Sequence, residues 1–541
     1  MTPLTQSYWP ADESQPIWNL SAGALLRRAA SLAPDTEALV EVAPAGAPSL
    51  TGAAHTDRRW TYAELLAEAE RCAGWLQTQF RPGEAVCIWA PNVPEWIVVQ
   101  YGAALAGLIL VTANPALREP ELRHVVRQSG AVALIHADQF RGHDMAATAA
   151  ALSGDVRETI SLTGLIDRLA GQAAPADLPE VDPASTMQIQ FTSGTTGLPK
   201  GARLTHAGLV TDSVFLAGRS DQAREVWVTP MPLFHTAGSG LGVLGCAAHL
   251  STLVMPCLFD PRLMLEAIAR EKATVTSGVP TMLVAMLDAL GSGEYDVSSL
   301  RVIISGGAPV PPALHARVEA GFGAALTTLY GQTEVCSALT VTSPDDTVED
   351  RAGTAGRPLP QAEVRIVDPA TLKVVPVGVE GEVQARGYQL MQGYVGQPEA
   401  TARTILPDGW LRTGDLGCMD ARGYLRITGR LSDMIIRGGE NAYPAEIEAV
   451  LARHPAVAEV AVFGLPDDRW GEIIAAAVRL RPDAPAVEAQ ALKQHCRLDL
   501  APQKAPEAWF IVEQLPLTPS GKVQKYVLRD EAVARRLNRL P

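Results

Sequence analysis

The eleven residues Phe191-Thr192-Ser193-Gly194-Thr195-Thr196-Gly197-Leu198-Pro199-Lys200-Gly201 concentrate hydroxyls, glycines and one lysine. They follow Met187-Gln188-Ile189-Gln190-Phe191, whose alternation of apolar and polar residues predicts a half-buried strand. Thr205 predicts a helix cap, with Ala207, Val210, Val214 and Ala217 forming the apolar side of the helix behind it. A strand, a glycine-rich hydroxyl loop and a helix together aim backbone N–H groups at phosphate oxygens. A plain surface loop has a similar composition but gives no reason for Lys200, which stands where a cation would meet a phosphate tail. The loop is not a Walker P-loop, because Leu198-Pro199 separates Gly197 from Lys200 and no Ser or Thr follows the lysine.

Further candidate groups lie downstream. Tyr330-Gly331-Gln332-Thr333-Glu334 follows a predicted strand, Leu326–Leu329, at the end where α/β sheets bind ligands. It supplies an aromatic for a flat base, together with a hydroxyl and a carboxylate suited to Mg2+. Ser305-Gly306-Gly307-Ala308-Pro309 also ends a strand, and its glycines allow a ligand to lie against backbone. Trp410-Leu411-Arg412-Thr413-Gly414-Asp415 presents an acid whose two oxygens could accept from a ribose diol. Pro519-Ser520-Gly521-Lys522-Val523 carries a lysine on a glycine hinge, able to offset repulsion between a carboxylate and the phosphate it attacks. Gly240, Gly242 and Gly245 fit the dinucleotide fingerprint, with Asp260 at a suitable distance. The prolines at 230 and 232 exclude the regular strand which that motif needs. The small residues from Gly238 to Gly245 are therefore expected to make room for a ligand beside a helix.

The elements that must position these groups alternate along the chain. Residues 1 to about 60 read as a lead-in, and Thr61 with Glu64 predicts a capping box. Short apolar strands at Glu84–Ala90, Leu108–Val111, Val132–His136, Glu225–Thr229, Ser251–Met255, Thr274–Gly278 and Arg301–Ser305 then alternate with helices. This argues for α/β layers with largely parallel sheets. Beyond about residue 350, Glu363–Val367, Glu380–Ala385 and Gly423–Ile427 are joined by short turns, as in a small β-barrel. A compact α+β unit closes the chain, with helices at Ala445–Ala452 and Val487–Leu498 around strands Val457–Phe463 and Ile474–Leu480. The apolar run Trp96–Ala113 reads as a buried helix opened by Pro94, then Gly107 and a strand, so no integral membrane segment is expected.

A chain of 541 residues exceeds one core, and 47% hydrophobic with 19% charged residues is ordinary for a globular protein. The net charge of -14 argues against nucleic acid as a partner. Seven scattered cysteines without a Cys-x-x-Cys pair, and a start without a basic and apolar leader, predict a cytoplasmic protein with reduced thiols.

Taken together the blocks resemble the adenylate-forming superfamily, in its acyl-CoA synthetase branch. The resemblance runs from about Trp60 to Arg529 and rests on Thr192–Gly201, Tyr330–Glu334, Arg412–Asp415, Gly429–Glu448 and Pro519–Lys522, in the family's order. It implies an N-terminal domain over 1–430, made of two α/β subdomains and a small barrel, hinged to a mobile C-terminal domain over 431–541. It also implies that a carboxylic acid attacks the α-phosphate of Mg-ATP, and that the thiol of coenzyme A then displaces AMP. By the same resemblance, Thr192, Ser193, Gly194, Thr195, Thr196, Gly197 and Lys200 cradle the β- and γ-phosphates. Tyr330 lies near adenine, with Gly307, Ala308, Pro309, Gly331, Gln332 and Ile427 in the nucleotide site. Thr333 touches the α-phosphate, Glu334 holds Mg2+, Asp415 and Arg430 bind ribose, and His235 joins the catalytic set. Lys522 serves the first half-reaction, and rotation of the C-terminal domain then brings Gly438, Gly439 and Glu440 to the pantetheine channel. The family usually has Asp or Lys at the hinge, and this chain has Ser432 followed by Asp433, so the pivot is one of the two.

Pro232-Leu233-Phe234-His235-Thr236-Ala237-Gly238 carries no acid to pair with an α-amine, which points to a plain carboxylic acid. The glycine-rich stretch and low aromatic content (5%) favour medium- or long-chain, or bulky alicyclic, acids. Two other readings stand beside CoA ligation. One is transfer of the acyl group from acyl-AMP to a separate carrier protein, and the other is a non-catalytic nucleotide-binding subunit. A homodimer is left open.

Overall fold

The computed structural model describes residues 3–53, 57–172, 177–192, 199–219, 224–437, 440–482, 484, 487–517 and 523–540, with backbone alone at 440 and 441. Two large sheets form its centre. In the first, Glu158–Ser161, Ala133–His136, Ala85–Trp89, Ile109–Ala113 and Thr186–Thr192 run parallel, and Lys200–Thr205 and then Gly393–Tyr394 add antiparallel at one edge. In the second, Glu37–Val42, Thr252–Pro256, Val226–Val228, Val275–Ser277, Val302–Ser305 and Ala325–Tyr330 are parallel. Antiparallel strands Arg59–Thr61, Thr340–Val341 and Arg357–Pro358 complete it. Each expected strand before residue 310 is present to within two residues.

The lead-in is more structured than its composition predicts. Tyr8–Trp9 pairs with Glu363–Val367, and Ser21 caps a helix, Ala22–Leu32, that runs into the strand Glu37–Val42. The capping box holds, with the Thr61 backbone N–H donating to Glu64 Oε2 at 2.8 Å and the Glu64 N–H returning to Thr61 Oγ1 at 3.2 Å. The apolar run beginning at Trp96 is the helix Pro94–Leu105, buried on every face, followed by Gly107 at φ +70° and the strand Ile109–Ala113. Its hydrophobicity is that of a central helix, and no helix of the described residues is long and apolar enough to cross a membrane.

Two expectations of amphipathicity give way to full burial. Gln188 and Gln190 are buried alongside Ile189, because the strand Thr186–Thr192 lies inside the sheet with layers on both faces. The helix His206–Gly218 is likewise buried almost all round, packed against the strand Lys200–Thr205 and the segment Ala237–Gly245. Its cap is as expected, Thr205 Oγ1 accepting from the Gly208 N–H at 3.0 Å.

Beyond residue 350, Tyr8–Trp9, Glu363–Val367, Gly381–Arg386, Leu411–Met419 and Leu425–Arg430 make a five-stranded antiparallel sheet around Val364, Ile366, Val383 and Leu425. The next sheet begins at Ile435. It centres on the long hairpin of Val457–Asp467 with Gly471–Leu480, flanked by helices Pro444–Leu451 and Ala489–Asp499 around a separate core.

Candidate active site

The phosphate-loop candidate is the tip of a hairpin. Thr192 and Lys200 are register partners at the ends of antiparallel strands, so the loop leads into a strand before reaching the helix at His206. Ser193, Gly194, Thr195, Thr196 and Gly197 lie outside the described residues. The base of the hairpin is pinned from the side by His124, whose Nε2 meets the Pro199 carbonyl at 3.0 Å and whose ring packs edge-on to Phe191.

Tyr330 ends a parallel strand, and Gly306-Gly307 ends its neighbour, so both motifs lie at strand carboxyl ends of the second sheet. Gly307 has φ +78°, and Ala308 and Pro309 follow it at the surface rim. Gly331 is required by space alone, since a Cβ there would stand 2.0 Å from the Ser337 carbonyl oxygen. The chain then makes a short 3-10 turn, Thr333–Val335, with Thr333 and Glu334 buried.

Asp415 gathers the next set. It faces Arg430 in register across Leu411–Met419 and Leu425–Arg430, and Arg430 Nε lies 2.8 Å from Asp415 Oδ1. The Tyr330 hydroxyl donates to Asp415 Oδ2 at 2.8 Å, and the Asp415 N–H is held by Thr413 Oγ1 at 3.0 Å. Burial, then the Asp415 charge, pushes the Tyr330 phenol well above its ordinary pKa, so it remains a donor. Burial alone would weaken the Arg430 cation, and Asp415, Asp433 and Tyr330 together more than restore it. Ile427 packs in the small sheet's core beside Tyr330.

Glu334 forms a separate node. Its Oε1 accepts from the Tyr394 hydroxyl at 2.7 Å, and its backbone carbonyl accepts from the Met391 N–H at 2.9 Å. The Tyr394 ring in turn carries Lys200 Nζ 5.1 Å from its centroid. Glu334, Gln332 and Tyr394 line one side of a cleft of about 300 Å3, and Arg412, Thr413 and Gly414 line another. Arg412 Nε is fixed there by the buried Glu382 at 2.9 Å. Tyr394, Glu382 and His124 were not among the sequence candidates. Nothing in the spacing around Gln392-Gly393-Tyr394 or Gly381-Glu382 marks them, because their roles arise from strand pairing across the fold.

Glu334 suits a hard cation. It is a buried carboxylate for which no cationic side chain forms an ion pair among the described residues. Those residues also hold no cluster of three or more His, Cys, Asp or Glu side chains. A cation held by one carboxylate must draw its other oxygens from phosphate and water, as Mg2+ does on a nucleotide.

His235 lies on the loop after the strand Val226–Val228, with Nδ1 accepting the Ala237 N–H at 3.2 Å and its carbonyl accepting from Ser239. The following segment, Ala237–Gly245, is a buried π-helix. Gly238 and Gly245 serve close packing, because a Cβ at Gly238 would meet the Pro232 carbonyl and one at Gly245 would meet Ala217, whereas a Cβ at Gly242 would have no neighbour nearer than 3.6 Å. No strand runs directly into them, since Val226–Val228 is followed by the 229–236 loop, and Asp260 caps the helix Pro261–Glu271, so the dinucleotide reading is excluded. Gly438, Gly439 and Lys522 lie outside the described residues, and Glu440 begins a short strand, Glu440–Ala442.

A hairpin ending at Thr192 and Lys200, a tyrosine–aspartate–arginine cluster at strand ends and the buried Glu334 carboxylate suit an enzyme that binds a nucleotide with its metal ion. Comparison with known proteins gives the family. Residues 26–395 match the model of the AMP-binding enzymes, and 446–522 match that of their C-terminal domain. The provisional acyl-CoA synthetase YngI of Bacillus subtilis is 37% identical, covering 94% of this chain and 97% of its own. The mitochondrial medium-chain acyl-CoA ligase of Mus musculus is 35% identical over 97% of this chain and 89% of its own. The o-succinylbenzoate coenzyme A synthetase of Bacillus subtilis, solved with ATP and a magnesium ion, superimposes with a TM-score of 0.79 at 30% identity, covering 94% and 98% of the two chains. The chain belongs to the AMP-binding enzyme family, in its acyl-CoA synthetase branch.

Proposed function

We propose that the chain converts a medium-chain apolar carboxylic acid to its CoA thioester, with ATP, Mg2+ and CoA as co-reactants. The observation that carries this is the placement of Tyr330, Asp415 and Arg430 in one hydrogen-bonded cluster, with Glu334 on the adjoining cleft. A carboxylate carbon is a poor electrophile until one of its oxygens becomes part of a good leaving group. The acid's oxygen therefore bonds to the α-phosphorus and pyrophosphate departs. The CoA sulfur then bonds to the acyl carbon, its proton is lost and AMP departs.

In this reading Asp415 and Arg430 hold ribose and Tyr330 borders the base, with Gly307, Ala308, Pro309, Gly331, Gln332 and Ile427 around the nucleotide. Thr333 contacts the α-phosphate, and Mg2+ on Glu334 supplies charge neutralisation for the phosphates. Thr192 to Gly197 and Lys200 hold the departing pyrophosphate, and His235 borders the acyl end. Lys522 is delivered by a C-terminal domain that begins at 431 and pivots at Ser432 or Asp433, after which Gly438–Glu440 faces the thiol. Chain length in the medium range is supported by the mouse relative's name, and a plain carboxylic acid without an α-amine by the absence of an acid in Pro232–Gly238. Cytoplasmic residence is supported by seven cysteines, all free.

An acid panel from C4 to C16, with ATP and with or without CoA, tests the reading by following pyrophosphate and thioester by mass spectrometry. Maximal thioester at intermediate lengths is expected. Pyrophosphate without thioester would remove CoA as acceptor, and absence of both for every acid would remove acid activation.

A further inference from the structure

The five residues Met391-Gln392-Gly393-Tyr394-Val395 are bonded to two separate parts of the site. On one side the Met391 N–H donates to the Glu334 carbonyl at 2.9 Å and the Tyr394 hydroxyl to the Glu334 carboxylate at 2.7 Å. On the other, Gln392 N–H donates to the Arg203 carbonyl at 2.9 Å and Val395 N–H to the Gly201 carbonyl at 2.8 Å, so the segment pairs antiparallel beside the hairpin strand that begins at Lys200. Tyr394 is itself fixed, being buried, with its N–H on Thr401 Oγ1 at 2.9 Å. Its ring face carries the Lys200 ammonium at 5.1 Å. One side chain thus touches both the carboxylate and the lysine of the hairpin.

We infer that Tyr394 is a positioning residue that sets the Glu334 carboxylate for the cation and seats Lys200 for the phosphate tail, so that metal and pyrophosphate are gripped in one register. This rests on the reading that Glu334 holds Mg2+. The hydroxyl engages a single carboxylate oxygen and leaves the other free to face a cation, and a charge-assisted O–H···O bond fixes the plane of the carboxylate. A phenol is protonated in the neutral range, so the hydroxyl donates. The ring supplies a face to which an ammonium is attracted without neutralising it.

The test separates the two contacts by calorimetric titration of ATP in Mg2+ and in EDTA. Tyr394→Phe keeps the ring and removes the hydroxyl. It is expected to lose about tenfold of the Mg2+-dependent gain in ATP affinity, the size of one charge-assisted bond, while binding ATP in EDTA as the unaltered chain does. Tyr394→Leu should weaken ATP binding in EDTA several-fold as well, by unseating Lys200. A Tyr394→Phe chain with the full Mg2+ gain, or one that weakens equally with and without Mg2+, overturns the inference. Glu334→Gln is the control for the underlying reading. If it keeps the Mg2+ gain, Glu334 does not hold the ion; if it loses the gain while Tyr394→Phe keeps it, only the role of Tyr394 fails. Should Tyr394→Phe not fold, 3-fluorotyrosine at position 394 gives the same answer. Its 19F resonance should move when Mg2+ is added to the ATP-loaded protein, and a stationary resonance refutes the coupling.

Discussion

Replacing Asp415 with Asn tests the nucleotide cluster most directly. The side chain is almost fully buried and takes two bonds in the structure, from Tyr330 at 2.8 Å and Arg430 at 2.8 Å. Asn keeps the shape and one acceptor but presents an NH2 group to one of two donors. Losing one bond to a charged acceptor costs about 1.5–3 kcal/mol. The loss for Arg430 is discounted because its side chain is 38% exposed and water replaces part of the partner. Stability should therefore fall by about 2 kcal/mol. With a ribose diol on the same two oxygens, as proposed, ATP affinity should fall by about 2–3 kcal/mol, roughly 30- to 150-fold. The assay is ATP binding by calorimetry together with acid-dependent pyrophosphate release. Tyr330→Phe supplies the second arm of a double-mutant cycle. It should cost less in the Asp415→Asn background than alone, with a coupling of about 1 kcal/mol, because its bond has already been weakened. An ATP affinity within threefold of the unaltered chain, or strict additivity of the two substitutions, would refute the placement of ribose on Asp415.

Three other outcomes follow from particular residues. His206 is buried, its Nδ1 accepts from the Ala22 N–H, and burial lowers its pKa to about 4, partly opposed by Asp182. It is neutral in the fold while the unfolded chain takes up a proton below about 6.5, so its contribution is intact above that value and is lost as pH falls towards 4. Urea melts at pH 7 and pH 5 should differ by about 2 kcal/mol from this group, and His206→Gln should remove that difference; an unchanged pH dependence in the variant would exclude His206 as its source. Gly331→Ala forces a Cβ against the Ser337 carbonyl at 2.0 Å and the Ala338 Cα at 2.6 Å. Displacing that backbone should cost about 1–3 kcal/mol in a thermal melt and abolish saturable ATP binding, and near-normal ATP binding would show that the Gly331–Glu334 turn does not shape the site. Lys522→Ala should lose pyrophosphate release yet still make thioester from supplied acyl-AMP, and equal loss of both steps would show that the lysine is not confined to the first.

What the sequence carried and what it withheld divide along one physical line. Motifs made by consecutive residues were legible: Thr205 capping its helix, the Thr61–Glu64 box and the turn at Gly331 all act through neighbours a few positions away. The alternation of strands and helices was legible for the same reason, since a pattern of burial within one segment reports its partner layer. Burial on both sides was not, as Gln188 and Gln190 show. Their polarity read as exposure, but layers packed on both faces of the sheet enclose them, and Gln188 finds Ser239 at 3.3 Å. The glycines from Gly238 to Gly245 carry two meanings that spacing does not separate, because small residues fit a close helix contact, as at Gly238 and Gly245, as well as a ligand. The residues that join the site, Tyr394 above all, are separated from their partners by 30 or more positions and owe their placement to register. Ala202 pairs with Tyr394 only because the strand Gly393–Tyr394 returns to the hairpin after the whole second sheet and part of the small sheet have been built. A grip on metal and phosphate assembled this way depends on the hairpin and the Glu334 turn being docked together, so its precision is a property of the folded N-terminal sheets and not of any motif alone.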